Sequence, residues 1–352
     1  MSLSGNKQWQ EDIDKVLSDL DLSRLSDCRI MVTGCTGLIC SAVVDALIRW
    51  NTCHDEKIVI YAVSRSVDDV RERFKPYSRE SWFETGRYDA TQTIDDLRTD
   101  CDYIINGAGN ASPDKIIHEP VETMWSNING LKNLLDYLKN NKAKRLLYIS
   151  SSEVYGRSDK TEPFSISDYG YIDILNPRTS YSSAKRAAET LCVSYSFEYR
   201  VDSVIVRPGH VYGPTAKKSD NRVSSAWAYA AASGLDIVMK SDGSQIRSYC
   251  YAADAASAIL KVLLNGKTAQ AYNISNPNSI ISIKEIAEMM TQAAGVIIKY
   301  DFPDEMEKKG FNPMLNSSLD AKQLMELGWK AKFGAKEGIE HTVWILRDLK
   351  DE

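Results

Sequence analysis

Short apolar runs alternate with longer segments of helical periodicity over the first two hundred residues of the chain. Five runs have the length and continuous apolar character of buried parallel strands, at 29–33, 58–63, 103–106, 145–150 and 203–207. Between them, apolar residues recur at helical spacing in the segments 39–50, 68–74, 122–140 and 180–199. This alternation predicts βαβ units and therefore an α/β fold built on a doubly wound parallel sheet.

The two ends of the chain depart from this rhythm. Residues 1–27 carry apolar side chains at helical spacing, which predicts a helical N-terminal extension whose apolar positions are Ile13, Val16, Leu17 and Leu20. After residue 210 the segments are mixed, with predicted helices at 252–264, 282–294, 319–327 and 336–348. We therefore divide the chain into the extension, a sheet-forming domain over 28–210 and a smaller C-terminal region over 211–352.

Composition narrows the range of partners. The 352 residues are 43% hydrophobic and 26% charged, with a net charge of −5, which argues against a nucleic-acid partner. No apolar run approaches the roughly 18–20 residues that span a bilayer, and the N-terminus lacks the apolar segment of a signal peptide, so we expect no membrane partner. The cysteines form no C-x-x-C pair and histidines are few. We expect reduced thiols, a cytoplasmic location and no metal site.

A glycine-rich turn follows the first predicted strand directly. The strand at 29–33 runs into Gly34-Cys-Thr-Gly37-Leu-Ile-Cys40, and a predicted helix follows. Such glycines let backbone N–H groups approach a pyrophosphate at the helix N-terminus, so residues 28–210 are predicted to be a Rossmann-type dinucleotide-binding domain. The third position, usually glycine, is Cys40, which is small enough to require only a modest adjustment. The alternative is a glycine turn that binds no nucleotide.

The residues after the second predicted strand leave the choice of cofactor open. NAD-binding proteins place Asp or Glu there to accept the ribose 2′-hydroxyl. This chain has Ser64-Arg65-Ser66, with Asp68 and Asp69 slightly later. Arg65 with flanking hydroxyls suits the 2′-phosphate of NADP, whereas a solvated surface arginine is compatible with NAD.

Tyr181 and Lys185 stand one helical turn apart in the predicted helix 180–199. Residues i and i+4 share a face of a helix, so the phenol and the ammonium are expected to point into one cleft. A free tyrosine has a pKa near ~10, and a neighbouring cation favours the phenolate. We expect Lys185 to lower the pKa of Tyr181 and so to make it a base.

Five motifs in order carry a family resemblance. They are the glycine turn, Asn106-Gly-Ala-Gly109, Ser150-Ser-Ser-Glu-Val-Tyr-Gly156, Tyr181-x-x-x-Lys185 and Arg207-Pro-Gly-His-Val-Tyr-Gly-Pro214. Over residues 29–345 the chain resembles the extended short-chain dehydrogenase/reductases, and more narrowly the nucleotide-sugar epimerase/dehydratase family. Within that family, Asn176-Pro-Arg-Thr-Ser-Tyr181 and Gln245-Ile-Arg-Ser-Tyr249 are most similar to the UDP-glucuronate decarboxylases.

The resemblance implies a role for each matching residue. The implied catalytic residues are Ser151, Glu153, Tyr181, Lys185 and Asn127. The implied cofactor contacts are Gly34, Thr36, Gly37, Leu38, Ile39, Ser64, Arg65, Asn106, Gly107, Ala108, Gly109, Tyr181, Lys185 and Pro208. The implied substrate contacts are Ser152, Arg178, His210, Arg222 and Arg247. Ser152 stands where dTDP-glucose-type dehydratases carry an acid, and His210 where close relatives commonly carry Asn.

The resemblance also implies the activity. It indicates an enzyme that uses NAD or NADP to oxidise a nucleotide-diphosphate sugar transiently at C4, with residues 211–352 mainly binding the substrate. Decarboxylation is the leading expectation, and a 4-epimerase or a GDP-mannose-type 4,6-dehydratase is the alternative. From a different class, a non-catalytic dinucleotide-binding sensor is the remaining alternative. Many relatives dimerise through the helices that match 122–140 and 180–199, so a homodimer is expected.

Overall fold

The fold was analysed in a computed structural model that describes residues 2–94, 96–302 and 314–350. The strands are β1 (Arg29–Thr33), β2 (Val59–Ser64), β3 (Phe83–Arg87), β4 (Tyr103–Asn106), β5 (Arg145–Ile149), β6 (Ser203–Pro208), β7 (His210–Tyr212), β8 (Ile237–Met239), β9 (Ile246–Tyr251), β10 (Ala271–Ile274), β11 (Ile280–Ser282), β12 (Ile298–Tyr300) and β13 (Asn316–Ser317). The helices are α1 (Lys7–Leu17), α2 (Leu38–Cys53), α3 (Val67–Arg73), α4 (Pro113–His118), α5 (Pro120–Asn141), α6 (Ser180–Tyr199), α7 (Val223–Ala232), α8 (Ala252–Asn265), α9 (Ile283–Ala294), α10 (Lys322–Glu326) and α11 (Ala335–Asp348).

Seven of these strands form one parallel sheet in the order β10-β6-β5-β4-β1-β2-β3. The chain starts in the middle at β1, builds outwards through β2 and β3, and then returns to place β4 on the other side of β1. The strand order therefore reverses between β1 and β4, and the carboxyl ends of these two strands border the crevice where such sheets bind ligands. The predicted Rossmann-type doubly wound sheet is confirmed.

Both faces of the sheet are covered, which explains why its central strands are continuously apolar in sequence. Along β1, Ile30 and Val32 pack into a core shared with α1, α2 and α8. Met31 points to the opposite face and packs into a second core shared with α5 and α6. Since successive side chains of a strand alternate between faces, every residue of such a strand meets apolar neighbours.

The C-terminal region adds two small sheets beyond β6. Strand β9 lies between β11, with which it is antiparallel, and β13, and it also pairs in parallel with β7. His210 of β7 stands opposite Tyr249 of β9 in this pairing. Strands β8 and β12 form a separate parallel pair. The residues that continue the chain from β6 through β7 thereby bring the C-terminal region to the carboxyl edge of the main sheet.

The N-terminal segment packs against both parts of the chain. The indole of Trp9 on α1 is buried and donates to Asp45 of α2 at 2.8 Å. On the next turn of α1, the buried carboxylate of Asp12 accepts from the hydroxyl of Tyr251 on β9 at 2.7 Å, and it contacts His341 of α11 at 2.8 Å. Of the predicted helical positions, Ile13, Val16 and Leu17 lie in α1, whereas Leu20 lies beyond its end; all four pack in or against the core.

Two further observations concern residues 2–94, 96–302 and 314–350. None of the helices there is both long and apolar enough to cross a membrane. No three His, Cys, Asp or Glu side chains in these ranges are grouped as the ligands of a metal ion would be.

Candidate active site

The glycine turn between β1 and α2 has the geometry of an anion-binding loop. Gly34 has a φ of +65°, and a Cβ there would lie 2.9 Å from the carbonyl oxygen of Gly107 at the end of β4. Gly37 is the N-cap of the sixteen-residue helix α2 and, as a glycine, offers no side-chain cap to it. Because the first-turn N–H groups of a helix lack intrahelical partners, this N-terminus is available to a phosphate group.

Cys40 fits at the third glycine position because the chain has a glycine opposite it. A Cβ on Gly107 would lie only 2.2 Å from the Sγ of Cys40. The thiol is buried and fills the space between α2 and the end of β4. In most such loops a glycine on the helix lets helix and strand pack closely. In this chain that helix position is Cys40, and Gly107, directly after β4, makes the room instead.

The carboxyl end of β4 is fixed by polar contacts across the crevice. The Oδ1 atom of Asn106 accepts from the Thr33 hydroxyl at 2.8 Å and from the Ala108 amide at 3.3 Å. A Cβ on Gly109 would lie 2.6 Å from the Oδ1 of Asn127. That amide oxygen is buried and has no hydrogen-bond partner among the described residues. It is therefore an acceptor left open towards the segment where the dinucleotide is expected.

The end of β2 presents an exposed arginine beside a carboxylate. The hydroxyl of Ser64 donates to the carbonyl of Ser66 at 2.8 Å and so shapes the loop, and Arg65 is exposed. Burial raises the pKa of Asp89 on the neighbouring segment, but hydrogen bonds from Thr91 and the charges of Arg65 and Arg87 outweigh burial and leave that pKa below its usual value. Arg65 thus stands close to a negative charge.

Tyr181 is at the centre of the site, at the start of α6. Its side chain is only 7% exposed, and the Ser151 hydroxyl is near enough to its phenol to favour the phenolate. Burial and the nearby charge of Glu153 raise the pKa of Tyr181 to about 12, against the opposing effects of Ser151, Arg222 and Arg178. The sequence-based expectation of a lowered pKa was wrong for this structure, because burial dominates.

Lys185 accompanies Tyr181 on the buried face of α6 but is turned towards the sheet. Its ammonium donates to the carbonyl of Ile149 at 2.8 Å and lies 4.6 Å from the ring centre of Tyr148. The distance to the ring centre of Tyr181 is 5.6 Å. Burial lowers the pKa of Lys185 to about 7, and the charge of Glu189 opposes this effect. A lysine with such a pKa is a weaker cation than the sequence pattern suggests.

Glu153 reaches the site from a 3₁₀ turn that follows β5. The turn, Ser152–Tyr155, is capped by Ser151, whose hydroxyl accepts from the Glu153 amide at 3.2 Å. The Glu153 carboxylate pairs with the guanidinium of Arg178 at 3.5 Å. The turn therefore brings together three predicted site residues, Ser151, Ser152 and Glu153, on the side of the crevice that Tyr181 occupies.

Three predicted substrate residues meet at the C-terminal side of the crevice. Arg247 is only 3% exposed, donates to the carbonyl of Ile246 at 2.8 Å, and has no carboxylate within ion-pair distance among the described residues. Burial, and then the charges of Arg247 and Arg222, lower the pKa of His210 to about 3, so its ring is neutral. The Nδ1 of His210 is buried without a described partner. Arg222 is paired with Asp220 at 2.9 Å.

The remaining predicted cofactor contacts lie where the sequence suggested. Thr36 and Ile39 are half-buried in and after the glycine turn, Leu38 starts α2, and Pro208 ends β6. The carbonyl of Leu38 accepts from the Thr215 hydroxyl at 2.7 Å, which ties the turn to the segment after β7. Whether each of these residues contacts a cofactor stays a prediction.

Sequence reasoning missed a buried ion pair behind the catalytic helix. Glu189 follows Lys185 by one more helical turn and pairs with Arg207 of β6 at 2.6 Å. The same guanidinium donates to the hydroxyl of Tyr155 at 3.1 Å. The spacing of Tyr181, Lys185 and Glu189, each four residues after the last, was the available signal, because it places all three on one helix face.

The fold and the site together define the class of protein. An uncapped helix N-terminus, two glycines in close approach and the open amide oxygen of Asn127 fit a bound dinucleotide. A buried tyrosine with a serine hydroxyl near its phenol supplies a proton-transfer group beside it. This is the arrangement of a dinucleotide-dependent oxidoreductase.

Comparison with known proteins specifies the family. Residues 30–275 match the NAD dependent epimerase/dehydratase family, and the chain belongs to that family. UDP-glucuronic acid decarboxylase 6 of Arabidopsis thaliana is 30% identical over 315 residues, which cover 89% of this chain and 87% of that protein. The predicted family and its nucleotide-sugar chemistry are confirmed, and the non-catalytic sensor is set aside. Of the two cofactors that the sequence left open, the family is NAD dependent.

Solved structures agree on the fold. The UDP-glucuronic acid 4-epimerase of Bacillus cereus, solved with UDP-glucuronic acid and NAD, has a TM-score of 0.77 and 20% identity, covering 91% of this chain and 99% of its own. The UDP-N-acetylglucosamine 4-epimerase of Methanobrevibacter ruminantium has a TM-score of 0.78 and 22% identity, covering 93% of this chain and 100% of its own.

Proposed function

We propose that the protein catalyses NAD-dependent decarboxylation of UDP-glucuronate. The observation that carries the proposal is the side-chain group around Tyr181, in which Ser151 and Glu153 adjoin the phenol and the buried Arg247 has no described carboxylate partner. A buried guanidinium without an acidic partner is costly, so it suits an anionic ligand. The decarboxylase relative in Arabidopsis thaliana adds support for this reaction.

The first step is removal of a proton from the C4 hydroxyl of the sugar. Tyr181 takes that proton, and Ser151, whose hydroxyl is near the phenol, holds the same sugar oxygen in line. Lys185, in its charged form, is a nearby cation that favours the phenolate. NAD, when bound, supplies the acceptor for the C4 hydride and later returns it, with the Gly34–Ile39 turn, Asn106–Gly109 and Lys185 as the residues that would hold it.

The second step uses the 4-keto acid that oxidation produces. The C5–C6 bond breaks, CO₂ leaves, and the electron pair passes into the C4 ketone as an enolate. Glu153 relays a proton from solvent to C5, which replaces the bond lost with CO₂, and Arg247 binds the substrate carboxylate or diphosphate. Tyr181 then returns its proton to the C4 oxygen, and with the hydride that NAD would give back the product is the pentose. Because the hydride goes back to the same sugar, no net oxidation occurs.

The test is incubation of the purified protein with UDP-glucuronate and NAD. Release of CO₂ with one UDP-pentose per CO₂ is expected from the wild type. Tyr181→Phe, which removes the proton-transfer group and keeps the ring, should lose at least about 10²-fold in kcat while its melting temperature changes little. Inversion at C4 without CO₂ would instead indicate a 4-epimerase, and loss of water from a 6-hydroxyl sugar would indicate a 4,6-dehydratase.

We further propose that the protein is a cytoplasmic homodimer. The outer faces of α5 and α6 expose large apolar side chains, including Trp125 at 56% and Phe197 at 78%. Pairing of these helices with those of a second copy would bury the apolar surface in a four-helix bundle. All seven cysteines are free thiols, which suits a reducing compartment. Light scattering should give twice the chain mass, and Phe197→Glu should halve it.

A further inference from the structure

Arg178 is the fourth member of a ring of contacts around the reacting phenol. The Ser151 hydroxyl lies near the Tyr181 phenol and lowers its pKa, and it accepts from the Glu153 amide at 3.2 Å. The Glu153 carboxylate pairs with Arg178 at 3.5 Å, and Arg178 precedes Tyr181 by three residues. The backbone joins Arg178 to Tyr181, and side-chain contacts through Glu153 and Ser151 lead back to the phenol, so the contacts form a closed ring.

Both ends of the Glu153–Arg178 pair are carried by short turns whose geometry is fixed locally. Arg178 lies in the 3₁₀ turn Pro177–Thr179, in which its amide donates to the Asn176 side chain at 3.0 Å and the Thr179 hydroxyl donates to the Asp173 carbonyl at 2.8 Å. This turn runs straight into α6, so the position of Arg178 is coupled to that of Tyr181. The pair therefore spans the gap between the turn that carries Glu153 and the helix that carries the phenol.

We propose that Arg178 is a positioning residue that acts through Glu153, holding this carboxylate beside Tyr181, and that it is not a ligand of the substrate. The proposal rests on the proposed function and deepens it. The carboxylate has one described cation within ion-pair distance, and that cation is Arg178. Among the described residues, Arg178 in turn pairs with no other carboxylate, so the two groups are matched to each other.

The charges around the Tyr181 phenol explain why the Glu153 carboxylate needs a cationic partner. The charge of Glu153 raises the pKa of Tyr181, whereas those of Arg222 and Arg178 lower it. A carboxylate that handles the C5 proton must stay near the sugar, but unpaired it would oppose ionisation of the phenol. Pairing with Arg178 fixes the carboxylate and offsets part of its field. Both side chains are about a third exposed, 30% for Arg178 and 33% for Glu153, so removing either one leaves the fold intact.

The test is a double-mutant cycle with Glu153→Gln, Arg178→Gln and the double variant, measured as kcat and KM for UDP-glucuronate with saturating NAD. Arg178→Gln is expected to lower kcat about tenfold with KM changed less than about threefold, since misplacing a catalytic group costs rate. In the Glu153→Gln background the same change should have less than a twofold effect. Arg178→Lys, which keeps the charge, should recover most of kcat.

Two results would overturn the proposal. One is a large increase in KM for Arg178→Gln that persists in the Glu153→Gln background, because that identifies a substrate ligand. The other is strict additivity of the melting-temperature changes across the cycle in the absence of substrate, because that shows no pair exists. If the wild type releases no CO₂ from UDP-glucuronate but the melting temperatures are non-additive, the proposed function fails and the Glu153–Arg178 pair stands.

Discussion

Replacing Gly107 by alanine should destabilise the cofactor loop, because Cys40 already fills the space that the new Cβ would occupy. That Cβ would lie 2.2 Å from the Sγ of Cys40 and 3.3 Å from the Cδ1 of Ile149. Favourable contacts between carbon atoms are at about 3.5–4.0 Å, so an overlap of more than an ångström must be relieved by movement of α2 or of the β4 end. Overpacking of this kind costs about 1–3 kcal/mol of unfolding free energy.

The assay is urea unfolding of four proteins, the wild type, Gly107→Ala, Cys40→Ala and the double variant. Gly107→Ala should have a lower unfolding free energy than the wild type. The double variant should be more stable than Gly107→Ala, since truncating Cys40 makes room for the methyl group. NAD affinity should follow the same order, because the displaced segment borders the pyrophosphate loop. Unfolding of Gly107→Ala at the wild-type midpoint, or an equal loss with and without the Cys40 side chain, would refute the steric reasoning.

Three further predictions concern other parts of the chain. Lys185 has a pKa of about 7 in the fold and about 10.5 when unfolded, so between these values the unfolded state binds more protons. The unfolding free energy of the wild type relative to Lys185→Met should therefore rise with pH. Denaturation at pH 7 and pH 9.5 would show this rise. Arg65→Ala should change the KM for NAD less than about threefold, since Arg65 is exposed and lies near the charge of Asp89; a larger rise in the KM for NAD would contradict this. Trp9→Ala should cost about 3–5 kcal/mol by urea unfolding, because the indole is buried and bonded to Asp45.

The sequence predicted the central strands well because both of their faces are buried. The bounds of β1 and β4 match the apolar runs at 29–33 and 103–106 residue for residue. Strand β3, which was not predicted, is at the edge of the sheet and reads Phe-Glu-Thr-Gly-Arg, with its first residue buried and the others partly or fully exposed. An edge strand meets one neighbour and needs fewer apolar residues, so it leaves little pattern. Strand β10, at the other edge, has three of its four residues buried; it was missed because it is short and its buried Asn273 interrupts the apolar run.

Motif order predicted which residues gather around Tyr181, but not the balance of their charges. Ser151, Glu153 and Tyr181 are within one group, as the family resemblance implied. The i+4 spacing of Tyr181 and Lys185 correctly placed both on one buried face of α6. The direction of the Lys185 ammonium, towards the carbonyl of Ile149, depends on how α6 lies on β5. Burial and that orientation decide the pKa values, and both are tertiary properties that a helical spacing does not contain.

The contacts of the N-terminal helix α1 are likewise tertiary and do not follow from its helical spacing. They connect the helix after the cofactor loop with the strand that carries Arg247. Trp9 donates to Asp45 on α2, the helix whose N-terminus follows the glycine turn. Asp12 accepts from Tyr251 on β9, 239 residues away in sequence and four residues along the strand from Arg247. Both carboxylates are buried, and a buried carboxylate that loses a donor costs more than a surface one. Displacement of α2 or of β9 relative to α1 would break one of these bonds, so α1 fixes the spacing between the cofactor loop and the strand that carries Arg247.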